Sequence, residues 1–88
     1  MVEQKVTVSN RAGVHARPAA LLVQKINKFK STIYLEKGQD RINAKSIMGV
    51  ITLGAGYGTE LTIKAEGEDE VQAVETLVRL FESKFEED

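Results

Sequence analysis

Apolar and polar residues alternate from the start of the chain: Val2, Val6 and Val8 stand against Glu3, Lys5, Thr7 and Ser9, the two-residue period of a half-buried strand. Asn10-Arg11-Ala12-Gly13 then predicts a turn. From Ala16 the period lengthens. Ala19, Leu22, Val23, Ile26 and Phe29 share one helical face, with Gln24, Lys25 and Lys28 on the other. Pro18 fits the first turn, where its missing N–H costs nothing, so the helix is predicted to begin at His15 or Ala16. Alternation returns from Thr32 to Lys37. Gly38-Gln39-Asp40 and a second short run, Arg41 to Ala44, complete a hairpin. Ser46 stands at the N-cap of a short helix that opens with Ile47-Met48-Gly49-Val50-Ile51. Gly54, Gly56 and Gly58 predict a loop, and Thr59 to Glu66 a strand with Leu61, Ile63 and Ala65 inward. A last helix is predicted from about Asp69 to Lys84, its stripe Val71, Val74, Val78, Phe81 and Phe85, followed by a solvated tail, Glu86-Glu87-Asp88.

The order is β-α-β-β-α-β-α. Each strand has one apolar face, which implies an α+β open-faced sandwich: a four-stranded antiparallel sheet covered on one side by three helices. The 88 residues suit one domain, 1–88. Its stability should be on the order of 4–13 kcal/mol, with little material to enclose a deep site. Chemistry is therefore expected at the surface, with a partner protein supplying the rest. With no cysteine there is neither a disulfide framework nor a thiolate metal site, and with one histidine no metal or other cofactor is expected. No apolar run is long enough to cross a membrane, and no signal-peptide pattern opens the chain, so a cytoplasmic protein without membrane insertion is expected. A net charge of -1 leaves no broad basic field for nucleic acid.

Chemistry gathers at Gly13-Val14-His15-Ala16-Arg17-Pro18. His15 is the only histidine and falls where a loop becomes a helix, whose first amides and positive dipole end form an anion site. Those amides belong to Ala16 and Arg17. The Arg17 guanidinium adds a planar fork of donors for phosphate oxygens. Gly13 permits a backbone conformation closed to other residues. Spacing alone leaves two readings open: a nucleophile with its anion hole, or a histidine that merely caps a helix beside a solvated arginine. Ser46 is likewise a helix cap on its own evidence. One short helix cannot bury Ile47, Met48, Val50, Ile51 and Leu53 together. Val50 and Leu53 are expected in the core, leaving Ile47 and Met48, with Ala20 and Ile51, as an apolar docking surface. Gly54-Ala55-Gly56-Tyr57-Gly58 lacks the Lys-Ser/Thr ending of a phosphate loop and is read as a plain connection.

Gly13-Val14-His15-Ala16-Arg17-Pro18-Ala19-Ala20 resembles the phosphorylation-site motif of the HPr family. These are the histidine-containing phosphocarriers of the bacterial phosphoenolpyruvate-dependent sugar phosphotransferase system. Asn43-Ala44-Lys45-Ser46-Ile47-Met48-Gly49-Val50 is similar to the second motif of its Gram-positive type, around a regulatory serine. The resemblance spans essentially the whole chain and implies a phosphoryl-transfer carrier rather than a stand-alone catalyst. His15 would accept the group at Nδ1 from enzyme I and donate it to IIA components of sugar transporters, and Arg17 would neutralise phosphate charge. Ser46 would be phosphorylated by HPr kinase/phosphorylase, and the product would act as corepressor with a catabolite-control repressor of the LacI type. The alternative is a Crh-like regulatory module working through Ser46. Crh, however, replaces the histidine with glutamine, whereas His15 is present here. Ala12 departs from the serine or threonine of many relatives, so a hydroxyl contact to the phosphate is lost. A monomer is expected, since a relay surface must stay free.

Overall fold

The structure, a computed structural model, describes residues 1–86. Four strands form one antiparallel sheet: β1 (Val2–Thr7), β2 (Thr32–Lys37), β3 (Asp40–Asn43) and β4 (Glu60–Glu66). Their spatial order is β1-β4-β2-β3. Because side chains alternate across a strand, the register aligns one apolar face: Val6 opposes Leu61, and Leu35 opposes both Ile63 and Ile42. The helices α1 (Ala16–Ile26), α2 (Ile47–Leu53) and α3 (Glu70–Glu82) cover that face, α3 over β1 and β4 and α2 against β3. Leu22 and Ile26 from α1, Leu77 and Phe81 from α3, and Ile33, Leu35, Leu61 and Ile63 from the sheet form the fully buried centre. This is the predicted open-faced sandwich, and no described helix is long and apolar enough to cross a membrane.

The last helix corrects the sequence reading. It stops at Glu82, because Lys84, Phe85 and Glu86 all adopt left-handed φ values of 57°, 56° and 61°. That turn swings Phe85 back into the core, edge-on to Phe81 with ring centroids 4.8 Å apart. The inward stripe is Ala73, Val74, Leu77, Leu80 and Phe81. It shares Val74 and Phe81 with the predicted stripe, but the leucines lie on its side, and Val71 is left 52% exposed. Glu86, placed in a solvated tail by the sequence, ends the turn and pairs with Lys25 at 3.4 Å. Glu87 and Asp88 lie outside the described residues.

The side chain of Asp69, just ahead of α3, ties that helix to the entry of β2. Its carboxylate accepts from the Lys30 N–H (2.8 Å), the Ser31 N–H (2.9 Å) and the Ser31 hydroxyl. The hydroxyl bond first and the Lys30 amide second lower its pKa from the ordinary 3.8 to about 2. Folding thus favours the charged carboxylate. Its contribution is complete above pH 3.8 and is lost as the pH falls from there toward 2. Glu70, lowered in the same direction by the Gly67 amide, adds to the trend. Thermal unfolding followed from pH 7 to pH 2 should show the midpoint dropping below about pH 4. Asp69→Asn should lower the midpoint at neutral pH and flatten this acid limb.

The uncovered face of the sheet is not bland. Glu3 on β1, Lys64 on β4, Glu36 on β2 and Arg41 on β3 form a ladder of alternating charge that crosses all four strands in spatial order. Their contacts are 3.9, 3.2 and 3.7 Å. The Arg41 guanidinium also lies 3.7 Å from the centre of the Tyr34 ring.

Candidate functional site

His15 is the N-cap residue of α1, with extended φ and ψ of -93° and -162°. Its carbonyl accepts the first intrahelical bond, from the Ala19 N–H at 2.9 Å, but its ring is not used as the cap. His15 thus holds the cap position through its backbone, while its ring makes no capping bond. The imidazole is exposed, as is Arg17. The amides of Ala16 and Arg17 precede that first bond and Pro18 has none, so these two are the N–H groups that the helix start offers an anion.

Two loops hold His15 in this position. Val8, just past β1, donates to the Thr59 carbonyl (2.9 Å) and accepts from the Gly58 N–H (2.8 Å). The Val14 N–H donates to the Ala55 carbonyl (2.8 Å), seating the His15 loop on the glycine loop after α2. Between these anchors the chain turns at Gly13, whose φ is +75°. A Cβ there would lie 2.7 Å from the Ala55 oxygen and 2.8 Å from the Gly56 Cα, so both the conformation and the space demand glycine. The buried Asn10 closes the turn, its Nδ2 donating to the Gly13 carbonyl at 2.7 Å. The sequence reading missed Asn10 as more than a turn former, and missed the glycine loop as part of the site. An Asn three residues before a glycine was the available signal for the first.

The result is an open depression of about 300 Å³ lined by Ala12, Val14, His15 and Ala16 on one side and Ile51 and Gly54 to Gly56 on the other. Larger grooves run along β1 and α3, but they contain no histidine. Ala12, where a hydroxyl was noted as missing, lies on the rim of the depression itself.

Ser46 caps α2 as expected, its Oγ accepting from the Gly49 N–H at 3.0 Å. Lys45 beside it donates from Nζ to the Phe29 carbonyl (2.6 Å), tying the serine loop to the chain just beyond α1. Ser46→Ala should cost about 1 kcal/mol in chemical denaturation through loss of this cap, without disturbing the His15 loops. Val50 and Leu53 are buried, while Ile47 and Met48 are 44% and 67% exposed. Ala20 is also exposed, and the half-buried Ile51 reaches the depression. The exposed Tyr57 on the glycine loop is a further large apolar group that the sequence reading did not single out.

A family model described as the PTS HPr component phosphorylation site matches residues 2–83. The chain belongs to the HPr family. It is 56% identical to the phosphocarrier protein HPr of Treponema pallidum (strain Nichols), with all of both chains covered. It is 53% identical to the HPr-like protein Crh of Bacillus subtilis (strain 168), over 88% of this chain and 91% of that one. A crystal structure of HPr from Thermoanaerobacter tengcongensis superposes with a TM-score of 0.96 at 49% identity, covering 100% of this chain and 99% of the other. The general role of this HPr-family chain is that of a phosphocarrier. An exposed histidine in an open depression suits that role, because a relay group must be reached by one protein and then by another.

Proposed function

We propose that this chain accepts a phosphoryl group on Nδ1 of His15 from phosphorylated enzyme I and passes it to IIA components of sugar transporters in the cytoplasm. The observation that carries the reading is His15 itself, exposed at the start of α1 beside the amides of Ala16 and Arg17. In the accepting step the Nδ1 lone pair attacks phosphorus, a P–N bond forms, and the donor's bond to phosphorus breaks. Positioning and electrostatics dominate such transfers. The two amides would hold phosphoryl oxygens, and the Arg17 guanidinium would neutralise their charge. Donation to the next protein reverses these steps. Ile47, Met48 and Ala20, with Ile51 at the edge of the depression, provide the apolar surface on which each partner would dock in turn. One chain carries the whole site, so the monomer is the acting unit.

Ser46 is the proposed regulatory position. A phosphate from HPr kinase/phosphorylase would add about two negative charges beside Ile47 and Met48. That would oppose docking of enzyme I and favour an Arg-bearing partner such as a LacI-type catabolite-control repressor. A second reading, a regulatory module that works through Ser46 alone, draws on the 53% identity to Crh.

Incubation with phosphoenolpyruvate and enzyme I, followed by intact mass at neutral to alkaline pH, tests the first reading. Gain of one phosphate that acid removes would support it. No uptake from a competent enzyme I would leave the Ser46 module.

A further inference from the structure

Among the described residues the buried polar ones are Asn10 and Ser31, each 1% exposed. A side-chain amide shut away from water destabilises a fold unless it is bonded, so what Asn10 holds there is informative. Its backbone carbonyl accepts from the Gly13 N–H at 3.1 Å, and its Nδ2 donates to the Gly13 carbonyl at 2.7 Å. That carbonyl and the Val14 N–H belong to one planar peptide group. The Val14 N–H donates to the Ala55 carbonyl, so the peptide is gripped at both ends, one residue ahead of His15. Gly13, at φ +75°, gives this peptide little stiffness of its own. The grip is itself anchored, since Val8, two residues before Asn10, is bonded to Gly58 and Thr59 of the facing loop. An ordinary Asx turn differs: there the side-chain oxygen accepts, and aspartate serves as well as asparagine. Here the side chain donates, which a carboxylate cannot do.

We infer that Asn10 is a positioning residue for phosphoryl transfer: its amide locks the Gly13–Val14 peptide and thereby the place of His15 beside the Ala16 and Arg17 amides. The inference rests on His15 being the phosphoryl acceptor. Asn10 is buried and does not line the depression, so it acts through the loop and not on the phosphoryl group. A displacement of about 1 Å at a reacting group can slow transfer by about a hundredfold. The surface offered to partners stands apart from this turn, with Ala20 on α1 and Ile47, Met48 and Ile51 on α2. Loss of the Asn10 donor should therefore slow the chemical step and leave docking as it was.

Initial rates of phosphate uptake from limiting enzyme I, followed by intact mass, test this at several chain concentrations between about pH 5.5 and about pH 8. Asn10→Ala should lower kcat by about tenfold to a hundredfold, with KM for the chain unchanged. Asn10→Asp puts a carboxyl in the same place. Burial favours its neutral form, whose O–H can donate to the Gly13 carbonyl, whereas the carboxylate cannot. The ratio of Asn10→Asp to parental kcat should therefore rise by about tenfold as the pH falls, while that of Asn10→Ala stays level. Taking ratios cancels the titration of His15 and of enzyme I. Circular dichroism at each pH gives the folded fraction, and rates are counted per folded chain. Where Asn10→Ala does not fold, the Asn10→Asp ratio decides. Gly38→Ala, which strains only the turn between β2 and β3, should keep the parental kcat. Folded variants at the parental kcat, a raised KM at unchanged kcat, an Asn10→Asp ratio flat with pH, or an equal loss in Gly38→Ala would each overturn the positioning role. A parent that gains no phosphate would instead overturn the acceptor reading on which it rests.

Discussion

Phosphate uptake from enzyme I is expected to vanish when His15 is replaced by alanine. The reason is local. The other residues lining the depression are Ala12, Val14, Ala16, Ile51, Gly54, Ala55 and Gly56, and none carries a nucleophilic side chain. No neighbour can substitute, so the expected loss is complete rather than partial, while far-UV circular dichroism should be unchanged because the ring is exposed and does not cap α1. Arg17→Ala gives the graded contrast. It leaves the nucleophile and both amides in place and removes one charge from an exposed site, so acceptance should slow by about tenfold to a hundredfold. Time-resolved intact mass distinguishes the two: a flat trace for His15→Ala and a slow but complete shift for Arg17→Ala. If His15→Ala still gained an acid-labile phosphate, the acceptor would have to be sought elsewhere.

Gly13→Ala should be among the most damaging small substitutions in the chain. Two costs combine. An alanine at φ +75° is strained by about 1–3 kcal/mol, and its Cβ, 2.7 Å from the Ala55 oxygen and 2.8 Å from the Gly56 Cα, meets backbone on a facing loop that must shift. With about 1–3 kcal/mol more for the displaced loop, the sum of about 2–6 kcal/mol is a large part of the stability of so small a domain. The shift would also part Val14 from Ala55, the bond that seats His15 over the depression. Gly38→Ala is the control: its φ is +61°, but nothing lies within 4 Å of the added Cβ, so about 1 kcal/mol is expected. Urea unfolding measures both variants, and the phosphate-uptake assay should show a defect for Gly13→Ala alone.

Much of this architecture was legible from periodicity because the elements are short and one-faced. In β2 and β4 the strict alternation around Ile33, Leu35, Leu61 and Ile63 admits one inward register, and the structure has it. The starts of α1 and α2 were legible for a different reason: Pro18 and Ser46 are residues whose chemistry marks a helix's first turn or cap. The end of α3 was not legible, since a left-handed turn without glycine at Lys84 to Glu86 has no local marker and is set by the packing of Phe85 on Phe81. The site divides in the same way. His15 and Arg17 stand out in the sequence because they lie two positions apart at a predicted helix start and His15 is the single histidine. The glycine loop that completes the depression is distant in sequence and is seated against the His15 loop by the backbone bond from Val14 to Ala55, which side-chain identity does not encode.

The alternating ladder of Glu3, Lys64, Glu36 and Arg41 makes the bare side of the sheet a feature whose worth changes with heat. At room temperature each exposed pair contributes little, because water solvates the separated charges well. Hydration of charged groups carries a strongly negative entropy, so warming makes that competition weaker while burial per unit of apolar area levels off. The four-strand ladder thus supports the fold more strongly near its melting point than at 25 °C, on the side of the molecule that no helix protects.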